Sequence, residues 1–102
     1  LFSSLPGGIV LIENRAAVYK FVRKHADARL PFAEWIQKVE AASWKNLLDV
    51  KSTFNSADYV KGLIVFNVGG NNFRILAEVV FVQQIVRIAR VGTQAQYDGW
   101  KL

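Results

Sequence analysis

No cysteine occurs among the 102 residues, which excludes disulfides and thiol chemistry and fits a reducing compartment. With a single histidine, His25, and no thiolate, the potential metal ligands are scattered carboxylates, so neither a metal centre nor any other cofactor is expected. No apolar run reaches the roughly 18 residues that a membrane-spanning helix needs. The opening LFSSLPGGIV has no basic n-region of a secretory signal, and the expectation is a cytoplasmic protein without membrane contact. Internal repeats, low-complexity tracts and linker-like stretches are absent too, which fits one domain over residues 1–102.

Apolar residues make up 52% of the chain and aromatic residues 13%, enough for one core without metals or crosslinks. Thirteen Lys and Arg stand against eight Asp and Glu, giving a net charge of +5. That balance suits a polyanion or an acidic protein partner, and it also serves solubility.

Along the chain, Pro6-Gly7-Gly8 breaks the start and Ile9–Ile12 reads as a short buried strand. Asn14 is expected to cap a helix over 15–24, with Ala17, Val18, Phe21 and Val22 as its apolar stripe. Asp27 is expected to cap a second helix carrying Pro31 in its first turn and Phe32, Trp35, Ile36 and Val39 on one face. Leu47–Phe54 reads as a shorter helix and Ser56–Tyr59 as a loop. Strands follow at Leu63–Val68, Phe73–Val82 and Ile85–Gly92, and then a polar tail, TQAQYDGWKL, with two aromatics. Helices followed by antiparallel strands give an α+β fold with the helices on one sheet face. The other face is free for water or a ligand.

The stretch VFNVGGNNFRI, residues 65–75, shows what that free face carries. A turn at Gly70-Asn71, or the longer Gly69–Asn72, sets Val68 opposite Phe73 and Asn67 opposite Arg74 in either case. Side chains alternate along strands, so Ile64, Phe66, Val68, Phe73, Ile75, Ala77 and Val79 face the helices. Val65, Asn67, Arg74, Leu76 and Glu78 face outward. In the next hairpin, a Gln83-Gln84 turn sends Arg87 outward and Arg90 inward, and a longer loop or a bulge reverses the two. The sequence leaves that register open.

Four stretches resemble the HigB-type toxins of bacterial toxin–antitoxin systems, in the RelE/ParE-like group. They are RKHADARLPFAEWIQKVEAASW (23–44), DVKSTFNSAD (49–58), VFNVGGNNFRI (65–75) and VGTQAQYD (91–98), in the family's order. The resemblance implies a RelE-like fold of helices on a curved antiparallel sheet. It implies an endoribonuclease that cuts mRNA on the ribosome without a metal, and a HigA-type helix-turn-helix antitoxin as partner. Attack of a ribose 2′-OH on the adjacent phosphate needs proton transfer and cations on the developing charge. By resemblance Arg74 is the phosphate-stabilising residue. Lys51, Tyr97 and Gln94, at the family's histidine position, join it as catalytic candidates, and Asn67, Asn71, Arg87, Arg90 and Asp98 are RNA-binding candidates.

Three positions depart from the family pattern. Gln94 stands at the expected histidine, Gln96 replaces a glutamate and Ala89 an arginine, although Arg90 is adjacent. Glutamine exchanges no proton near neutral pH, so a histidine-based route is closed. A variant chemistry using Arg, Lys and Tyr, an inactive toxin fold that binds without cutting, and a substitution introduced to permit production all fit. A gyrase poison of the ParE kind is a further reading. His25 is expected to pack a loop, and Trp35 and Trp44 to lie in the core. Trp100 and Tyr97, in the polar tail, are the aromatics free to stack on bases.

Overall fold

The computed structural model describes residues 10–102, so the Pro6-Gly7-Gly8 break and Ile9 lie outside the described residues. The described strands are β1 (Leu11–Glu13), β2 (Asp58–Val60), β3 (Leu63–Val68), β4 (Phe73–Val80) and β5 (Ile85–Thr93). The helices are α1 (Arg15–Lys24), α2 (Arg29–Glu40), α3 (Leu47–Thr53) and α4 (Gln94–Asp98), with a 3-10 turn at Ala26–Ala28. One sheet runs β1-β5-β4-β3-β2. It is antiparallel except at its edge, where β1 lies parallel to β5 with Leu11 beside Ile85. This α+β arrangement agrees with a RelE-like fold.

The helical face of the sheet is the apolar one anticipated from period two. Ile64, Phe66, Val68, Phe73, Ile75 and Ala77 are buried against Val18, Phe32, Trp35 and Val39. Phe66 anchors an aromatic cluster, with its ring 5.3 Å from both Trp35 and Phe54 in edge-to-face contact. Such contacts add roughly 0.5–1.5 kcal/mol each beyond the area they bury. Trp44 completes the cluster, and its indole N–H donates to Thr53 Oγ1 at 3.0 Å. No helix among the described residues is long and apolar enough to cross a membrane.

Local details differ from expectation for identifiable reasons. Asn14 precedes α1 as expected but holds φ at 69° and makes no side-chain cap; its Nδ2 donates instead to Ile88 O at 2.9 Å. Asp27 caps nothing, because a 3-10 turn precedes α2 and places Ala28 at its start. Asn46 caps α3 by accepting from Asp49 N, and that helix stops at Thr53. Asp58 and Tyr59, expected in a loop, begin the edge strand β2. It pairs with β3 through the Lys61-Gly62 turn, where φ is 50° and 85°.

The β4–β5 hairpin resolves the open register. Val80 pairs with Ile85, so the turn is Phe81–Gln84 rather than Gln83-Gln84, and β4 ends before Phe81. Gln84 adopts φ 55°, and its side-chain amide donates to Trp44 O while its Oε1 accepts from Trp44 N. A glutamine ill suited to a turn is thus held by a clamp on the Trp44 backbone. Further along, Leu76 pairs with Arg90 but Ala77 with Ile88, which leaves Ala89 as the extra residue of a bulge. The longer turn keeps Arg87 outward and the bulge returns Arg90 outward. Both arginines therefore share Arg74's face.

Candidate functional site

The expected bare cationic surface is corrected here, because the second sheet face is covered. Arg74 is only 8% exposed, and Val65 and Leu76 on the same face are buried. The cover is the segment after β5. Thr93 and Gln96 form a capping box: Gln96 N donates to Thr93 Oγ1 at 3.1 Å and Thr93 N to Gln96 Oε1 at 2.9 Å. Thr-x-x-Gln is the sequence signature of that box, and it was the available signal for a helix in the expected polar tail. Gln94 N donates to Asn72 O at 3.0 Å, which ties the start of α4 to the β3–β4 turn. Lys61 Nζ, in the turn at the far side of the sheet, donates to an oxygen of Leu102.

Gly92 lets the tail lie close. It pairs with Arg74 across the ladder and so shares that face; a Cβ there would stand 2.8 Å from Trp100 Cζ2 and 3.0 Å from Gln96 Oε1. Four side chains meet over it. The Arg74 guanidinium carbon lies 5.6 Å from the Tyr97 ring centre. Tyr97 meets Trp100 edge to face at 5.5 Å, and Arg90 lies 5.6 Å from the Trp100 ring. Two rings in contact are flanked by two cations, Arg74–Tyr97–Trp100–Arg90, and each cation sits where the quadrupole of a ring favours it.

The two arginines differ in freedom. Arg74 Nη1 donates to Asn71 O and Phe73 O, both at 3.0 Å, which fixes the plane of the guanidinium. A guanidinium has five N–H donors, and these contacts employ one nitrogen, so Nε and Nη2 remain for an anion. Arg90 is exposed. Asn67 stands directly across the ladder from Arg74, as expected. Asn71 contributes its carbonyl to Arg74, while its side chain lies on the exposed turn.

Other expected site residues stand apart. Arg87 pairs with Glu78, four residues from Arg74 along β4, or roughly 13 Å at the rise of a strand. Its guanidinium donates to Glu13 at 2.7 Å and to Glu78 at 2.9 Å. Hydrogen bonding to Glu13 first, and then to Glu78, raises its pKa further, and two carboxylates neutralise the charge an RNA phosphate would need. Lys51 is exposed on α3, and Gln94 and Asp98 are exposed on α4; none joins the cation–aromatic row by a side-chain hydrogen bond. Gln96 is occupied as a cap, a role glutamine fills as well as glutamate. His25 stacks on Phe21 at 4.1 Å in the loop-packing role expected, and Trp35 and Trp44 are core residues, each 2% exposed. Among the described residues no three His, Asp or Glu side chains converge as a metal ion would require.

Sequence reasoning missed the fixation of Tyr97 and Trp100 on the arginines and the role of Gly92. The family model for the HigB toxin, a RelE-like toxic component of a toxin–antitoxin system, matches residues 28–100. No curated protein matches the chain.

Proposed function

Because the chain belongs to the HigB toxin family, the RelE-like toxic components of toxin–antitoxin systems, we propose that it acts in the cytoplasm by cutting mRNA on the ribosome. A HigA-type helix-turn-helix antitoxin holds it inactive. The observation that carries the reading is the row Arg74–Tyr97–Trp100–Arg90 on one sheet face. One cation held in place and one exposed beside it suit a phosphodiester, and two rings next to them suit the flanking bases. The net charge of +5 favours association with RNA and makes that association weaken with salt.

In this reading a ribose 2′-oxygen attacks the adjacent phosphorus, the hydroxyl proton leaves, and the bond to the 5′-oxygen breaks as that oxygen gains a proton. Arg90, exposed, meets the phosphate first. Arg74, held by two backbone carbonyls, supplies a preorganised charge where negative charge grows. Tyr97 and Lys51 are the side chains available to move protons, and Gln94 contributes hydrogen bonds only. Asn67, Asn71 and Asp98 line the approach of the strand.

The exposed Gln94 supports a second reading, a toxin-fold protein that binds antitoxin or RNA without cutting. Purified chain added to ribosomes programmed with a defined mRNA, followed by primer extension, separates the two. Cleavage that disappears in Arg74→Ala, with the near-UV CD spectrum intact, is the expected result. Full-length mRNA with the unaltered chain, alongside intact antitoxin binding, selects the binder instead.

A further inference from the structure

One stretch of the sheet's rim is left without a neighbour. The two-residue turn at Lys61-Gly62 closes the β2–β3 hairpin on the hydrogen-bonded pair Val60–Leu63. Bonded and non-bonded pairs alternate from there, so Asp58–Val65 is bonded again. The next residue of β3 with that orientation is Asn67, and β2 has ended by then, because the chain before Asp58 is in the turn at Asn55-Ser56. The Asn67 main chain therefore presents a donor and an acceptor outward with no strand beside them.

Next to this edge lies a cleft of about 380 Å³ between α2 and the β3–β4 hairpin, walled by Leu30, Pro31, Trp35, Phe54, Asn67 and Gly70. Two features mark it as unfinished. Leu30 is 70% exposed at its rim. The Trp35 indole N–H is the one buried side-chain polar atom among the described residues without a hydrogen-bond partner, and buried donors are ordinarily satisfied.

Resting on the reading of the chain as a toxin held by an antitoxin, we propose that this cleft receives an extended segment of that antitoxin, which adds a short strand beside Asn67 and lays an apolar side chain against Leu30 and Pro31. An N–H and a C=O on one strand edge are matched together by another extended polypeptide at strand spacing, the recognition mode of β-augmentation. The overall charge of +5 favours a segment that carries acidic residues beside its apolar one, while at the cleft itself Lys38 is already paired with Glu34 at 3.3 Å. The strand is short, since Gly69 turns to φ 64° and ends the edge.

The test uses the whole chain and the antitoxin encoded with it. Amide hydrogen exchange at Asn67 slows at least about tenfold when the antitoxin binds, as expected for a newly paired edge amide. In calorimetry Asn67→Pro, which removes the edge N–H, weakens binding by about tenfold relative to Asn67→Ala, which keeps it. Leu30→Glu weakens antitoxin binding by a similar factor and leaves the inhibitory activity of the free chain unchanged. An Asn67 amide that exchanges equally fast in the complex overturns the proposal. So does protection that grows with the chain's own concentration, which assigns the edge to a second copy. If Asn67→Pro fails to fold, the exchange measurement and Leu30→Glu still decide. Neither readout involves mRNA: antitoxin binding at Asn67 without cleavage removes the nuclease reading alone, and cleavage with Asn67 unprotected removes this proposal alone.

Discussion

Substituting Gly92 by alanine tests whether the segment after β5 is part of the site or merely drapes over it. The backbone at Gly92 is not in the left-handed region, so alanine fits the main chain and relieves the strand of a glycine, a gain of roughly 0.5–1 kcal/mol. Against that, the new methyl would sit 2.8 Å from Trp100 Cζ2 and 3.0 Å from Gln96 Oε1, distances that require one or both to move. Displacing Gln96 opens the capping box, at about 1 kcal/mol. Displacing Trp100 removes its stack on Arg90, at about 0.5–1 kcal/mol for an exposed pair. The net is about 1 kcal/mol against the docked segment, or about fivefold in its population. Because Trp35 and Trp44 are each 2% exposed, acrylamide quenching reports chiefly on Trp100 and is expected to rise in the variant. Cleavage in the ribosome assay falls by a similar several-fold factor, with little change in thermal midpoint, since Gly92 lies outside the apolar core. Unchanged quenching together with unchanged cleavage would refute the idea that this glycine seats Trp100.

Arg90→Ala is expected to weaken RNA binding strongly and to lower the salt slope by about one, whereas Arg87→Ala, already neutralised by Glu13 and Glu78, changes neither. Filter binding across a salt series checks both, and equal effects would remove the distinction between the two arginines. Gln94→His is expected to raise cleavage at least about tenfold if proton transfer limits the chain, with a new titration near an ordinary histidine value of about 6.5. A pH–rate profile identical to that of the parent would show that proton transfer at this position is not limiting.

How much of this was readable depended on whether a feature leaves a periodic trace. The Asn67–Arg74 pairing did, because Gly69–Asn72 fixes parity whatever the length of the turn. The outward placement of Arg90 also left a trace, though one easily passed over. The buried residues of β5 step from Val86 to Ile88 by two and then to the half-buried Val91 by three, which is the phase jump of a bulge at Ala89. The β4–β5 turn left none, since Gln84 is chosen by its clamp on Trp44, 40 residues away. Strand β2 is exposed along most of its length and turns through Lys-Gly, a pair without the usual hairpin chemistry, so it read as a loop. The covering of Arg74 was hidden because it is tertiary: nothing local to the strand says that Tyr97 and Trp100 return to it.

Strand β1 reaches its partner late in synthesis, since Leu11 lies beside Ile85. Translation proceeds from one end, so most of the chain is made before this edge has anything to pair with. The same holds for Arg74, which is covered only once Tyr97 has been made. Under the proposed reading, a toxin that acts at ribosomes would complete its site only once residues 97–100 have been made, and that interval is time in which a neutralising partner made alongside can arrive first.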